Sequence, residues 1–376
     1  MGRLTFARTR RADVAILRRN LEFWPEFREL IDQYVPLEIE TIKTPINLRH
    51  SWQILRNLVV DRTSVGYASM GADLETSGAK LLLAVDQTSE AIERLGLLVP
   101  EVRQVLIPHG SQKADILRKY NRITFREGRV LCVWGESDKK LYREEVPDGV
   151  ECRVVGSLRN AFYLREHPLV SRETVQHQLL FVSQYSESED QIDSTKSPRL
   201  RVLSLLKYQL HRYCVERRIP LTIALRPPVS ASLTPAQTAD EIRHYRRVFD
   251  GLDLQFTDPR IPYATYLASD HSDVTVGVPS GALTESFARG NKVLMFRQDP
   301  NSGSYFGFPL EGPWVVNEGD YGEFAKRLDA LRATRRQDFA DLWRVQREYM
   351  VANADSDEPI NLVRNLIARV MRGDSL

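Results

Sequence analysis

The chain has 376 residues, 42% hydrophobic and 27% charged, which is enough for two domains that each bury a core. A net charge of +2 argues against a dedicated nucleic-acid binder. No apolar run approaches the ~20 residues that span a bilayer, and the amino terminus lacks the apolar centre of a signal peptide, so a cytoplasmic protein is expected.

Arg3, Arg8, Arg10, Arg11, Arg18 and Arg19 crowd the start of the chain. They form either a patch for anionic lipid head groups, at the inner face of a membrane, or a solvated tail. Ala12–Leu17 is a short apolar run, Pro25–Tyr34 has helical spacing, Leu37–Ile42 alternates like a strand and Leu48–Val60 is amphipathic. Lys80–Val85 is a continuous apolar run ending at Asp86, and Thr88 or Ser89 caps a helix running to Gly96. Val102–Ile107 runs into Pro108-His109-Gly110, and Val130–Trp134 and Cys152–Val155 are further strands. Short apolar strands alternating with helices predict a parallel, doubly wound α/β sheet.

A polar connection at about Tyr163–Gln176 separates this first domain, 1–165, from a second, 176–355. The pattern restarts with strand Gln178–Val182. A long helix Pro198–Arg217 follows, with Ser197 as its cap and Pro198 at the first helical position. Strands are expected at Leu221–Leu225, Leu252–Phe256, Val274–Val278, Lys292–Phe296 and Trp314–Val316. Helices are expected at Thr234–Phe249, Tyr263–Ala268, Ala282–Arg289, Gly322–Leu331, Asp338–Met350 and Pro359–Met371. The last, within 356–376, is expected to pack back on the first domain. Ser186–Lys196 reads as a loop after a strand, either bordering a ligand cleft or plain surface.

Ligands of open α/β sheets bind beyond the carboxyl ends of the strands. The residues just past predicted strands are Asp86, His109, Ser183, Arg226 and Ser280. Ser280 and Gly281 form a turn into a helix, where amides and a hydroxyl suit a phosphate; the plainer reading is an ordinary tight turn. Glu285, on the same helix, either reaches a ribose hydroxyl or complements the helix dipole. His109 is a candidate general base, with a structural turn histidine as the alternative. Asp86 is either a base for a sugar hydroxyl or an N-cap. Arg226 is either a phosphate-binding cation or a surface residue before Pro227-Pro228. Cys132, Cys152 and Cys214 have no CxxC spacing, which excludes a Cys-based zinc site and fits a reducing compartment. Cys132 and Cys152 are expected to be buried. No Asp-x-Asp metal loop is evident, and no cofactor is implied.

Asp273, Gly277, Ser280, Glu285 and Gly290 fill a D-V-x-V-G-x-x-S-x-x-x-x-E-x-x-x-x-G pattern. It resembles the donor-nucleotide segment of GT-B glycosyltransferases. Ile107-Pro108-His109-Gly110, Val133-Trp134-Gly135 and Val154-Val155-Gly156-Ser157 follow one another as in bacterial surface-polysaccharide transferases of the Kdo-transferase and CDP-glycerol-transferase type. The resemblance spans most of residues 80–300. Leu225-Arg226-Pro227-Pro228 stands where such families often carry a His-Pro pair. The resemblance implies a GT-B fold, two Rossmann-like domains facing a central cleft. It implies metal-independent transfer of a sugar from a nucleotide donor, CMP-Kdo or a similar CMP/CDP-activated unit, to a glycan or lipid-linked acceptor. Ser183, Arg226, Ser280, Gly281 and Glu285 would hold the donor, and His109 and Asp86 would act on the acceptor. A nucleotide-sugar 2-epimerase and a non-catalytic two-domain binding protein remain open alternatives.

Overall fold

The computed structural model describes residues 11–17, 21, 25–39, 48–59, 64–85, 90–110, 129–145, 150–168, 174–185, 198–226, 235–297, 312–317 and 320–374. The chain divides into two units, Met1–Leu158 with Glu358–Leu376, and Arg159–Asp357.

The first unit holds a six-stranded parallel sheet of β1 (Val14–Leu17), β2 (Pro36–Ile39), β3 (Leu81–Val85), β4 (Arg103–Ile107), β5 (Arg129–Val133) and β6 (Glu151–Val154). The order is β2-β1-β3-β4-β5-β6. Every residue of β3 and β5 is buried, as expected for strands covered on both faces. The segment expected as a helix from Pro25 is a 3-10 helix, Pro25–Ile31. Helices α1 (Leu48–Val59), α2 (Val65–Ser77), α3 (Glu90–Leu98) and α4 (Glu136–Glu145) follow in chain order, and α5 (Leu158–Glu166) leads into the second unit, which begins at Arg159. The readings of Thr88, Ser89 and Ser197 as caps, the loop Ser186–Lys196, and the arginines at 3, 8, 10, 18 and 19 lie outside the described residues.

The second unit holds β7 (His177–Val182), β8 (Leu221–Ala224), β9 (Leu254–Phe256), β10 (Ser272–Gly277), β11 (Val293–Arg297) and β12 (Val315–Asn317). All are parallel, in the order β12-β11-β10-β7-β8-β9. Read from the other edge, the strands run third, second, first, fourth, fifth, sixth. That is the doubly wound dinucleotide order, and its direction reverses between β7 and β10. Its helices are α6 (Pro198–Arg217), α7 (Pro235–Val248), α8 (Ala264–Asp270), α9 (Gly281–Ala288), α10 (Tyr321–Ala333), α11 (Arg336–Leu342) and α12 (Arg344–Met350). The stretch expected as one helix over Asp338–Met350 is thus two. Trp343, at φ −109° and ψ 16°, separates them, with its ring edge-on to Trp314 at 4.2 Å. Tyr163, expected in a polar connection, is instead a buried residue of α5.

The last helix, α13 (Glu358–Arg372), belongs to the first unit. It buries Ile360, Val363, Leu366, Ile367 and Val370, and the Arg364 guanidinium donates to the Glu29 carbonyl at 3.0 Å. No helix among the described residues is long and apolar enough to cross a membrane.

Candidate functional site

At the switch point of the second sheet the carboxyl ends of β7, β8 and β10 surround a cavity of about 160 Å³. Three residues singled out for following strands line it together: Ser183, Arg226 and Ser280. Arg159, Tyr263 and Tyr266 complete the wall.

Ser280 is the N-cap of α9, extended at φ −154° and ψ 161°, and its Oγ accepts from the Leu283 N–H at 3.3 Å. Gly281 is the first helical residue, so its N–H is among the four that an α-helix leaves without an intrahelical partner. The helix dipole adds positive potential at the cavity. The tight-turn reading and the phosphate reading therefore describe the same geometry. At the other end of α9, Gly290 takes φ +89° and closes the helix, its N–H donating to the Phe287 carbonyl at 2.9 Å. A Cβ there would stand 3.1 Å from that of Ala340.

Arg226 brings the cavity a partly exposed cation held from behind by Glu241, a buried residue of α7. The Arg226 N–H donates to Glu241 Oε1 at 3.3 Å and its Nε lies 3.9 Å from Oε2. The guanidinium lies over the Tyr185 ring, 5.6 Å from its centroid. The Ser183 hydroxyl, also buried, donates to the same Glu241 carboxylate and lies 2.8 Å from the Tyr245 hydroxyl. Ser183 and Arg226 thus share one anionic anchor. Sequence reasoning did not single out Glu241. Its signal was a carboxylate at 241, with His244, Tyr245 and Phe249, on one side of an otherwise amphipathic helix.

Glu285 does not line the cavity. It is buried and accepts a hydrogen bond from the Tyr266 hydroxyl, and the Tyr266 side chain does line the cavity. Burial, then the Glu285 charge, hold the Tyr266 hydroxyl far above its ordinary range, so it stays a donor. The Arg289 guanidinium lies 4.7 Å from the Tyr266 ring centroid. It donates from Nε to Asp270 at 3.0 Å and from Nη1 to the Asn160 Oδ1 at 2.8 Å. Tyr163 and Asn291 also donate to Asp270, at 2.7 and 2.6 Å. This buried network fixes the floor on which Tyr266 stands.

The remaining candidates lie elsewhere. Asp273 fills the first position of the sequence pattern but sits at the amino end of β10, paired with Lys292 at 2.6 Å and Arg332 at 3.5 Å. It secures the strand at the end away from the cavity. His109 is exposed, just past β4 in the first unit. Asp86 lies outside the described residues, directly after the last residue of β3. A larger hollow of about 950 Å³ adjoins Gly290, Arg336 and Arg347. Their guanidiniums are committed to main-chain carbonyls, Arg336 to Asp270 at 2.6 Å and Arg347 to Ala288 at 2.9 Å. It lies at the carboxyl end of α9, away from the switch point, so the smaller cavity is the candidate site.

No curated protein matches the chain in sequence. Solved structures match it in fold. UDP-GlcNAc 2-epimerase of Methanocaldococcus jannaschii, in complex with UDP-GlcNAc and UDP, aligns at TM-score 0.55 and 10% identity over 95% of this chain and 99% of that one. A UDP-forming α,α-trehalose-phosphate synthase from Burkholderia xenovorans aligns at TM-score 0.52 and 13% identity, over 96% and 99%. HepE of Anabaena, in complex with UDP-glucose, aligns at TM-score 0.51 and 10% identity, over 96% and 100%. The fold is GT-B, as the sequence resemblance implied. The profile of the family described as "putative O-antigen biosynthesis protein" matches residues 130–359, more than half of the chain, and the chain belongs to that family.

Proposed function

We propose that this protein transfers a sugar from a nucleotide-activated donor to a glycan acceptor in surface-polysaccharide assembly. The observation that carries the reading is the convergence of Arg226, Ser280 and the amino end of α9 on one cavity at the switch point of the second sheet. A cation and a helix amino terminus there suit a donor diphosphate or monophosphate. The family's association with O-antigen supports a glycan acceptor, free or lipid-linked. CMP-Kdo, or another CMP- or CDP-activated unit, is the proposed donor, by resemblance of the sequence motifs.

In the proposed reaction His109 or Asp86 takes the proton of the acceptor hydroxyl, and the acceptor oxygen attacks the anomeric carbon. The bond to the donor phosphate breaks. The leaving phosphate carries the displaced electron pair, and Arg226 with the α9 amides, Gly281 among them, stabilises its charge. Those groups take the role a divalent ion plays elsewhere, so the reaction is proposed to be metal-independent. Ser183 holds the loop after β7, and Glu285 meets the ribose directly or through Tyr266.

A nucleotide-sugar 2-epimerase uses the same fold, and UDP-GlcNAc 2-epimerase is among the structures this chain resembles. One experiment separates the readings. The protein is incubated with a panel of nucleotide-sugars, with and without candidate glycan acceptors, and products are followed by mass. Nucleotide release that depends on acceptor supports transfer. Release or epimerisation without acceptor assigns an epimerase. Thermal stabilisation by a nucleotide-sugar without turnover assigns a binding protein.

A further inference from the structure

Helix α1 buries two amides and exposes two large apolar side chains. Its amides face the protein: Gln53 is 7% exposed and Asn57 1%. Gln53 donates to Asn57 Oδ1 at 3.4 Å, and Asn57 donates to the Ala68 carbonyl of α2 at 3.2 Å. Two of its large apolar side chains face solvent, Trp52 at 67% and Leu55 at 51% exposure, while Ile54 and Leu58 are partly buried. Single exposed apolar residues are ordinary on any surface. Here two stand three positions apart, on one face of a helix whose opposite face holds buried amides. Val65, the first residue of α2, is also 67% exposed.

The sequence of α1, Leu-Arg-His-Ser-Trp-Gln-Ile-Leu-Arg-Asn-Leu-Val, carries two arginines and no carboxylate. Arg56, next to Leu55 and four positions after Trp52, keeps half of its side chain in solvent and lies 3.7 Å from Glu75. Twelve residues make a helix of about 18 Å, too short to span a bilayer. An apolar face bordered by a half-exposed cation, Arg56, with an exposed indole, matches a helix lying flat at head-group depth. A second copy paired symmetrically across this face would bring the same cation with it, whereas phospholipids bring opposite charge.

We propose that α1 docks the protein on an anionic lipid surface, with Trp52 and Leu55 inserted at head-group level and Arg56 against lipid phosphates. The proposal is independent of the nucleotide site. It also differs from a contact through the arginines at the start of the chain.

Sedimentation with phosphatidylcholine vesicles, with and without phosphatidylglycerol, tests it. The protein is expected to pellet with the anionic vesicles and to be released by salt. Trp52→Ser with Leu55→Ser is expected to weaken partitioning at least about tenfold by removing the buried apolar area. Arg56→Gln is expected to cost about fivefold, on anionic vesicles only. All three side chains are exposed, so melting temperatures should match wild type, and melting is measured alongside. Bromolipid quenching should report Trp52 in wild type and diminish in Trp52→Phe. The proposal is overturned if wild type ignores anionic vesicles, or if the double variant pellets as well as wild type. A concentration-dependent dimer that the double variant abolishes, without vesicle binding, would assign the face to a second copy.

Discussion

Glu285→Ala is expected to weaken nucleotide binding about 10- to 150-fold, the equivalent of losing hydrogen bonds to a charged group at about 1.5–3 kcal/mol. The structure sharpens the test, because the carboxylate is buried and accepts from the Tyr266 hydroxyl at the cavity wall. Two routes lead from Glu285 to a ligand, one by direct contact with the ribose and one through the orientation of Tyr266. A double-mutant cycle of Glu285→Gln and Tyr266→Phe, read by calorimetric titration with CMP, CDP, UDP and GDP, separates them. Action through Tyr266 predicts losses that fail to add by about 0.5–3 kcal/mol, whereas independent contacts add to within about 0.5 kcal/mol. We expect the coupled outcome. Tyr266→Phe should also cost about 1–3 kcal/mol of stability in urea, since it withdraws a donor from a buried carboxylate. Unchanged affinity of Glu285→Gln for every nucleotide that binds wild type would remove Glu285 from the site.

Four further outcomes are expected. Arg226→Ala should weaken nucleotide binding by one to two orders of magnitude, as expected for a charge-assisted contact to phosphate at about 1.5–3 kcal/mol. Glu241→Gln, which keeps the shape and drops the charge, should cost only about fivefold; a nucleotide affinity equal to wild type in both would place the phosphate elsewhere. His109→Ala and Asp86→Asn should each slow turnover about 10²–10⁴-fold at nearly unchanged nucleotide affinity and melting temperature, and a variant that melts early yet turns over normally would mark a scaffold residue. Activity should survive excess EDTA; loss on chelation with rescue by magnesium or manganese would refute the metal-independent chemistry. Burial pushes the Cys132 and Cys214 thiols up to about 12 and that of Cys152 up to about 11. In mildly alkaline buffer all three should therefore resist Ellman's reagent until guanidinium unfolds the protein, and one thiol titrating at once in the native state would contradict this.

The strands were legible because parallel strands buried on both faces leave continuous apolar runs. Lys80–Val85 became β3 at Leu81–Val85, and Gln178–Val182 became β7 at His177–Val182. Helix α6 begins at the expected Pro198 and ends at the expected Arg217. Helix α2 escaped notice because Val-Gly-Tyr-Ala-Ser-Met-Gly-Ala-Asp-Leu-Glu-Thr-Ser has no apolar stripe. Ala68, Met70, Gly71, Ala72, Asp73, Leu74 and Ser77 are buried around several sides. Helix α4 escaped for the opposite reason: in Glu-Ser-Asp-Lys-Lys-Leu-Tyr-Arg-Glu-Glu the apolar residues Leu141 and Tyr142 are adjacent and give no period. At the candidate site, looking just past each strand found Ser183, Arg226 and Ser280, since topology alone brings those positions together. Glu241, Arg159 and Tyr266 had no such signal. Each sits within or at the start of a helix, and only tertiary packing brings Arg159 and Tyr266 to the cavity wall and Glu241 behind Arg226.

The first unit is assembled from segments on either side of the second, with α13 supplying an apolar face made after Arg159–Asp357. Synthesis proceeds at roughly 5–20 residues per second, and domains generally fold as they emerge. Here the first unit has its six strands early yet waits for all of Arg159–Asp357 to be made before Ile360, Val363 and Ile367 arrive to cover the 3-10 helix and β3. On the ribosome the second unit therefore has its complete set of elements before the first does. Any transcript that stops before α13 leaves an intact second sheet and a first one with an open hydrophobic flank, the kind of nascent chain that chaperones hold.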